Sequence, residues 1–462
     1  MTPRPGASLH AQIYERLKDQ VIDGTLAPGQ RVPSLRALAS ELGIARGTVE
    51  AAYDRLIGEG WLVPRGPAGT FVAEVALAAP AARASAVPST RELITPASLE
   101  PPGLLRLGLP ALDAFPRKLW ARLVARQVRA AWSLDRPEPA GHPPLRAAIA
   151  AYLRRARGVS CSASQVFVVP GYRAALSLAM DVVLRPGDAA WIESPGFPPT
   201  AQVLAHAGVR IVPVPVDADG LVVTAGARIE PRARLAVVTP SHQSPLGVPL
   251  ALPRRTALIA WANAAGAWIL EDDYDGEYRY AGHPLPALQS LDTEGRVLYA
   301  GTFSKVLFPG LRLAYLVVPQ THVDAFEAAS ERSQHAGCPE LYQTVVAEFL
   351  AEGHFARHVK RMRALYARRR DQLAQALTVL EPGGLFVEQR QGGMHLVIRS
   401  TRSEADTALA RRAQAAGFAV QALSTWSVDG RGPQGLLVGF TNVATASEAK
   451  RLAARLSEAI GA

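Results

Sequence analysis

AWILEDDYDGEYRY, residues 267–280, and VLYAGTFSKVLFPGLRLAY, residues 297–315, decide the architecture of this chain. Each opens on a short apolar run, AWIL or VLYA, and leaves it abruptly for residues that carry chemistry. The first runs into the acids Glu271, Asp272 and Asp273, the second into Thr302, Ser304, Lys305 and Arg312. A brief apolar run bounded by polar residues reads as a strand buried on both faces. VFVVP (166–170), AAWIES (189–194), LAVVTP (235–240) and AYLVVP (314–319) repeat the pattern, with helical segments between them. Strands interleaved with helices give an α/β fold with a mostly parallel central sheet. Ligands of such sheets bind in the loops past the carboxyl ends of the strands, where these polar residues fall. From the residues alone, all three acids compete for a functional role. Lys305 stands among Phe303, Val306, Leu307 and Phe308, which favours a buried amine over a solvated one.

With 462 residues, 48% of them hydrophobic, the chain has room for more than one domain and is not disordered. Its net charge is +10, but residues 1–75 carry eight Lys or Arg and eight Asp or Glu, so the excess lies downstream, 42 against 32. Total charge therefore does not locate a nucleic-acid surface; local placement must. Cys161 and Cys338 have no metal-ligand or CxxC spacing, which predicts reduced thiols and no metal site. No run approaches the roughly 18 apolar residues of a membrane span, and MTPRPGASLHAQ has no apolar signal region. The expectation is a soluble cytoplasmic protein without a membrane partner.

Toward the amino terminus, Leu9, Ile13, Leu17 and Val21 recur at helical spacing. Ser34 is placed to cap a second helix with Leu35, Leu38, Ala39 and Leu42 inward, and Gly43 ends it. A third helix from about residue 45 buries Val49, Ala52, Tyr53 and Leu56. Trp61–Val63 and Thr70–Val72, separated by PRGPAG, read as a hairpin. The stretch PGQRVPSLRALASELGIARGTVEAAYDRLIGEGWLVPRGPAGTFVA resembles the winged helix-turn-helix of the GntR family. That resemblance implies double-stranded operator DNA as partner, the third helix entering the major groove and the wing touching phosphate. It nominates Arg36, Arg46 and Thr48 as DNA contacts, with Arg65 and Gly69 in the wing. Three segments follow: a DNA-binding domain over 1–75, an Ala/Pro-rich linker over 76–103 and a large domain over 104–462.

The large domain resembles the fold-type I aminotransferases, and the whole chain resembles the MocR family, in which a GntR-type winged helix is fused to such a domain. EDDYDGEYRY and GTFSKVLFPGLRLAY carry the resemblance, with 33 residues separating Asp272 from Lys305; PPLRAAIAAYLRRARGV, PGDAAWIESPGF and GGMHLVIRS extend it. It implies a pyridoxal 5'-phosphate cofactor bonded through Lys305, a homodimer, and a smaller C-terminal α+β part. Asp272 becomes the partner of the pyridinium nitrogen and Tyr274 a donor to the phenolic oxygen. Thr302, Ser304 and Arg312 become phosphate ligands together with Gly171, Tyr172 and Arg173, where VVPGYRAALSLAM turns from strand into helix. Phe197 of SPGFPPT stacks on the ring. TPSHQSPLG stands where aminotransferases have an asparagine, which is absent, leaving His242 or Gln243 for its hydrogen bond.

One departure bears on activity. Near the carboxyl terminus aminotransferases grip the substrate carboxylate with an arginine, where GLLVGFTN has Leu437. The lost charge-assisted pair is worth roughly 1.5–3 kcal/mol. Arg431 and Arg399 are candidate substitutes. The resulting expectation is a PLP-dependent transcription regulator with little or no physiological turnover, whose effector is a small amine, an amino acid or the B6 vitamer itself. The alternative is an active aminotransferase with a fused DNA-binding domain. Finally, RHVKRMRALYARRR (357–370) is basic; it reads either as a solvated helix face or as an extension of the DNA track through Lys360, Arg361 and Arg363.

Overall fold

A computed structural model describes residues 8–74, 103–130, 137–280, 285–333 and 337–462. The predicted linker, apart from Gly103, lies outside them. The chain divides into two compact units, Met1–Ser98 and Leu99–Ala462.

In the first unit, α1 (Leu9–Ile22), α2 (Leu35–Leu42) and α3 (Arg46–Gly58) precede a hairpin of β1 (Leu62–Pro64) and β2 (Thr70–Val72). The Ser34 side chain caps α2 by accepting from the Ala37 amide at 3.2 Å, and Gly43 ends it in the left-handed region at φ 66°. The predicted face of α3, Val49, Ala52, Tyr53 and Leu56, is the buried one. It meets Ile13, Tyr14, Leu17 and Val21 of α1 and Leu62 and Val72 of the hairpin in one core. Leu9, expected inward, is exposed because it opens α1 and has no turn above it to pack against.

The second unit is built on an eight-stranded sheet. Its strands are β3 (Val166–Val169), β4 (Ala189–Ser194), β5 (Arg210–Asp217), β6 (Gly220–Leu221), β7 (Leu235–Val238), β8 (Trp268–Asp273), β9 (Val297–Thr302) and β10 (Ala314–Val317). They lie in the order β3-β10-β9-β8-β7-β4-β5-β6. All run parallel except β10, which is antiparallel to β3 and β9, and β6, antiparallel to β5. Both faces are covered, as the apolar runs require: adjacent residues Trp191 and Ile192 belong to different cores, the first with Val212 and Leu258, the second with Phe167 and Leu176. A smaller antiparallel sheet follows, β11 (Leu385–Glu388), β12 (His395–Ser400), β13 (Gln421–Ala422) and β14 (Gly435–Gly439), in the order β11-β12-β14-β13. Among the described residues no helix is long and apolar enough to cross a membrane.

Candidate functional site

Strands β3, β4, β7, β8 and β9 end on one edge of the large sheet, and β10, running the opposite way, begins there. This is why Arg312, which precedes β10, joins Gly171, Phe197, His242, Asp272 and Lys305, which follow or close the other strands. The topology alone assembles the residues that lie far apart in sequence.

Strand alternation resolves the three acids. Glu271 and Asp273 point to one side: the Glu271 oxygens accept from the amides of Leu288 and Gln289 at 2.9 Å, and Asp273 pairs with Arg157 at 2.6 Å and accepts from Tyr299 Oη at 2.5 Å. Asp272 points to the other side, into a cavity of about 230 Å³ lined by Tyr172, Glu193, Phe197, Thr239 and Trp426. It is 7% exposed, and its carboxyl has no hydrogen-bond partner among the described residues. Burial, then the charges of Asp273, Asp275 and Glu193, push its pKa well above the usual carboxylate range. The Lys305 amine acts on it only at a distance, and a buried carboxyl without a hydrogen-bond donor is arranged for a cationic N–H group brought in by a ligand.

Lys305 donates from Nζ to the Gly108 carbonyl at 3.0 Å. Burial lowers its pKa against the pull of Asp275 and Asp272, and Arg106 lowers it further, a shift toward the nucleophilic free amine. Tyr274 Oη lies 3.1 Å from His242 Nδ1 and also bonds to Ser244; burial raises its pKa well above the usual phenol, which keeps it a donor. His242 is 6% exposed, and its Nε2 has no partner among the described residues. Gln243 is engaged elsewhere. Its amide nitrogen donates to Glu193, to the Pro195 carbonyl at 2.8 Å and to the Ser244 carbonyl at 2.9 Å, and its oxygen takes the Leu246 amide. Of the two, His242 thus keeps a free ring nitrogen while Gln243 holds the loop.

On the anion side, Gly171 (φ 116°) starts the helix Tyr172–Val183, whose first amides face the sheet edge. A methyl on Gly171 would lie 3.8 Å from the Arg312 guanidinium, which has no hydrogen-bond or ion-pair partner among the described residues. Arg312 itself is held in the left-handed region at φ 53°, a strained conformation for a non-glycine residue. Thr302 Oγ1 accepts from the Ser304 amide at 3.1 Å and shapes the turn before Lys305. Arg173 sends its side chain to Gln202 at 3.0 Å, so only its amide serves this edge, and Tyr172 Oη meets Thr200 at 2.8 Å. Phe197 is 36% exposed, with Tyr172 and Trp426 each 5.9 Å away between ring centroids.

Leu437 is fully buried in β14 among Leu246, Val248, Val397, Leu423 and Trp426. Arg399 is tied to Glu388 at 2.9 Å, and Arg431 is exposed in the turn that its amide makes with Asp429.

Sequence reasoning passed over Glu193, Ser244 and Arg106. Glu193 lines the cavity beside Asp272, with its pKa raised to about 7 by burial against hydrogen bonds from Thr239 and Gln243. Its signal was the acid closing the apolar run AAWIES. Ser244, next to Pro245 in TPSHQSPLG, occupies the loop with no residue-type clue.

In the first unit Arg36 and Arg46 are exposed and Thr48 is half-buried at the start of α3. Arg65 in the wing pairs with Glu74 at 3.0 Å and lies over the Phe71 ring. Gly69 has φ 106°, and a Cβ there would meet Arg31 Nε at 2.6 Å, so Arg31, not singled out in the sequence, lies against the wing. The basic stretch 357–370 lies on the helix His354–Ala376. Arg361 donates to the Ala114 carbonyl at 2.9 Å and Arg363 to the Glu277 carbonyl at 2.5 Å; Lys360 and Arg361 are exposed and Arg363 is half-buried. Long guanidinium side chains at these positions reach neighbouring carbonyls that a lysine would leave unmet.

Comparison with known proteins agrees with both units. The family "Aminotransferase class I and II" matches residues 134–456, and "Bacterial regulatory proteins, gntR family" matches residues 9–72. The chain is 37% identical over 455 residues to the probable rhizopine catabolism regulatory protein MocR of Rhizobium meliloti, covering 94% of this chain and 90% of that one. It is 34% identical to the pyridoxine biosynthesis transcriptional regulator PdxR of Corynebacterium glutamicum, over 95% of this chain and 93% of that one. The solved structure of the α-aminoadipate aminotransferase LysN from Thermus thermophilus, complexed with N-(5'-phosphopyridoxyl)-L-leucine, superposes with a TM-score of 0.69 at 28% identity, covering 77% of this chain and 91% of that one.

Proposed function

The chain belongs to the MocR-type regulators, in which a GntR winged helix precedes an aminotransferase class I and II domain, and we propose that it controls transcription by sensing an amine through pyridoxal 5'-phosphate. The observation that carries the reading is Asp272, a buried carboxyl without a protein partner, on the same sheet edge as the buried amine of Lys305 and the unpartnered fork of Arg312. That donor set fits the cofactor at its three polar ends. Asp272 would meet the ring nitrogen, Tyr274 with His242 the phenolic oxygen, and Arg312, Thr302, Ser304 and the amides after Gly171 the phosphate, while Phe197 would cover a ring face.

When bound, the cofactor supplies an aldehyde that condenses reversibly with primary amines and a ring that withdraws electrons. Lys305, its pKa lowered by burial, would be the residue that holds the aldehyde and competes for it with an incoming amine. The free ε-amine donates to the Gly108 carbonyl. Asp272 holds a proton on the ring nitrogen, and the low-dielectric wall of Phe197, Tyr172 and Trp426 strengthens that pair.

A ligand shifts a regulator only by binding one of its states more tightly. A homodimer would present two winged helices to operator half-sites in the bacterial cytoplasm, with α3 in the major groove and Arg36, Arg46, Thr48, Arg65 and Gly69 as the contacting set. The absence of a guanidinium at Leu437 argues against efficient transamination.

The test is DNA binding by the full chain with and without cofactor and amine, for wild type and Lys305→Ala. In wild type the amine changes promoter affinity only when cofactor is present, and Lys305→Ala loses that response. A variant that responds as wild type does overturns the reading.

A further inference from the structure

Residues 103–114 form a strap that enters the second unit and is pinned along its C-terminal part. The Leu104 amide donates to Gly417 at 3.1 Å, the Ala419 amide to Leu104 at 2.7 Å and the Gly439 amide to Leu105 at 2.8 Å. Asn442 Nδ2 donates to the carbonyls of Leu109 and Pro110 at 3.1 and 3.0 Å. Leu105 is buried in the core, and Leu107 packs on the apolar cluster that contains Leu437. Between these two inward residues and after them stand Arg106 and Gly108. The Gly108 carbonyl receives Lys305 Nζ, and a Cβ at Gly108 would lie 2.3 Å from that nitrogen, so the strap runs directly over the amine. Leu105 (φ 58°) and Arg312 are the two non-glycine residues with positive φ among those described, so the strap holds one of the two strained residues.

Arg106 is exposed, and its guanidinium has no hydrogen-bond or ion-pair partner among the described residues. Its charge reaches Lys305, where it helps to lower the amine's pKa. Arg312 is taken up by the proposed phosphate site, Arg390 and Arg399 both bind Glu388, at 2.8 and 2.9 Å, and Arg157 is paired with Asp273. A carboxylate brought to this edge would otherwise face Leu107, Leu246 and Leu437, surroundings that penalise an unpaired charge.

We propose that Arg106 grips the carboxylate of the effector, which makes the effector an amino acid rather than a simple amine. The guanidinium fork does from the strap what Leu437 cannot do from β14, and it places the ligand's carboxylate on the segment that continues toward the DNA-binding unit. The inference rests on the proposed amine chemistry at Lys305.

The experiment follows the absorbance of cofactor-loaded full chain during titration with L-alanine, β-alanine and 5-aminovalerate, and with ethylamine and butylamine, which lack the carboxylate. Arg106→Gln raises the half-saturating concentration of the best-bound amino acid by roughly ten-fold or more. The two amines shift by far less than the amino acid, only through the change at Lys305, and Arg106→Lys retains part of the amino-acid binding. Equal shifts for amines and amino acids, no shift at all, or a wild-type protein that answers only to the amines overturns the proposal. Wild-type protein that acquires no cofactor absorbance refutes instead the function on which it rests.

Discussion

Asp272→Asn separates the two roles of a buried carboxyl. Without cofactor, Asp272 sits 7% exposed in its cavity with no donor facing it, so the folded chain resists ionising it and its pKa lies well above the usual range. A group with a raised folded pKa stabilises fully below its unfolded pKa, about 3.9 for Asp, and that stability is lost as pH rises toward the folded pKa. Apo wild type therefore loses stability over this interval, and apo Asp272→Asn, which has no such proton, does not. The variant unfolds at the higher temperature at pH 7, and the gap narrows as pH falls toward 4. With cofactor the order reverses. The carboxylate then faces a ring N–H⁺, a charge-assisted hydrogen bond worth about 1.5–3 kcal/mol, so the substitution weakens cofactor binding by roughly ten- to a hundred-fold. Thermal unfolding of the apo chain across pH, with cofactor titration followed by absorbance, reads both effects. An apo variant less stable than wild type at pH 7, or one that binds cofactor as tightly, refutes the placement of Asp272 against the ring nitrogen.

Other substitutions probe the surroundings. Glu193→Gln removes a carboxyl whose pKa burial raises to about 7; wild type loses stability between about pH 4 and 7 as this group ionises, so the variant's relative stability rises over that window and levels off above it, measurable by thermal unfolding. Arg157→Leu strands Asp273, 6% exposed, and costs about 3–5 kcal/mol in denaturant unfolding of the second unit; a loss below 1 kcal/mol contradicts a buried pair. Arg46→Ala and Arg31→Gln, exposed on the winged helix, each lower the slope of log DNA affinity against log salt by about 1, and an unchanged slope removes that residue from the interface. Turnover with amino donors and keto acids stays well below about one per second, whereas rates at that level or higher favour an aminotransferase.

The six apolar runs read from the sequence are all strands of the large sheet, because burial on both faces leaves an unbroken hydrophobic signature. RIVPVPVD, which forms β5, was not singled out, since Pro213 and Pro215 mask it. Those prolines are tolerated because β5 pairs along its length only with β4, and the short β6 meets it only at Val216 and Asp217. Which of three acids enters the cavity was open until the phase of β8 was fixed: strand periodicity says that one differs from the other two, but not which face holds the site. Side-chain direction also distinguished His242, with a free ring nitrogen, from Gln243 and tied Arg363 to the Glu277 carbonyl, distinctions that composition does not encode. Arg106 was hidden for the opposite reason, as a single cation in the apolar stretch LLRLGLP.

The account depends on a covalent link between the Lys305 amine and an aldehyde cofactor, and borohydride reduction of cofactor-treated full chain followed by peptide mapping tests it most directly. A pyridoxyl adduct on Lys305, absent from Lys305→Ala, is the predicted result. No adduct, or an adduct on another of the chain's five lysines, contradicts it.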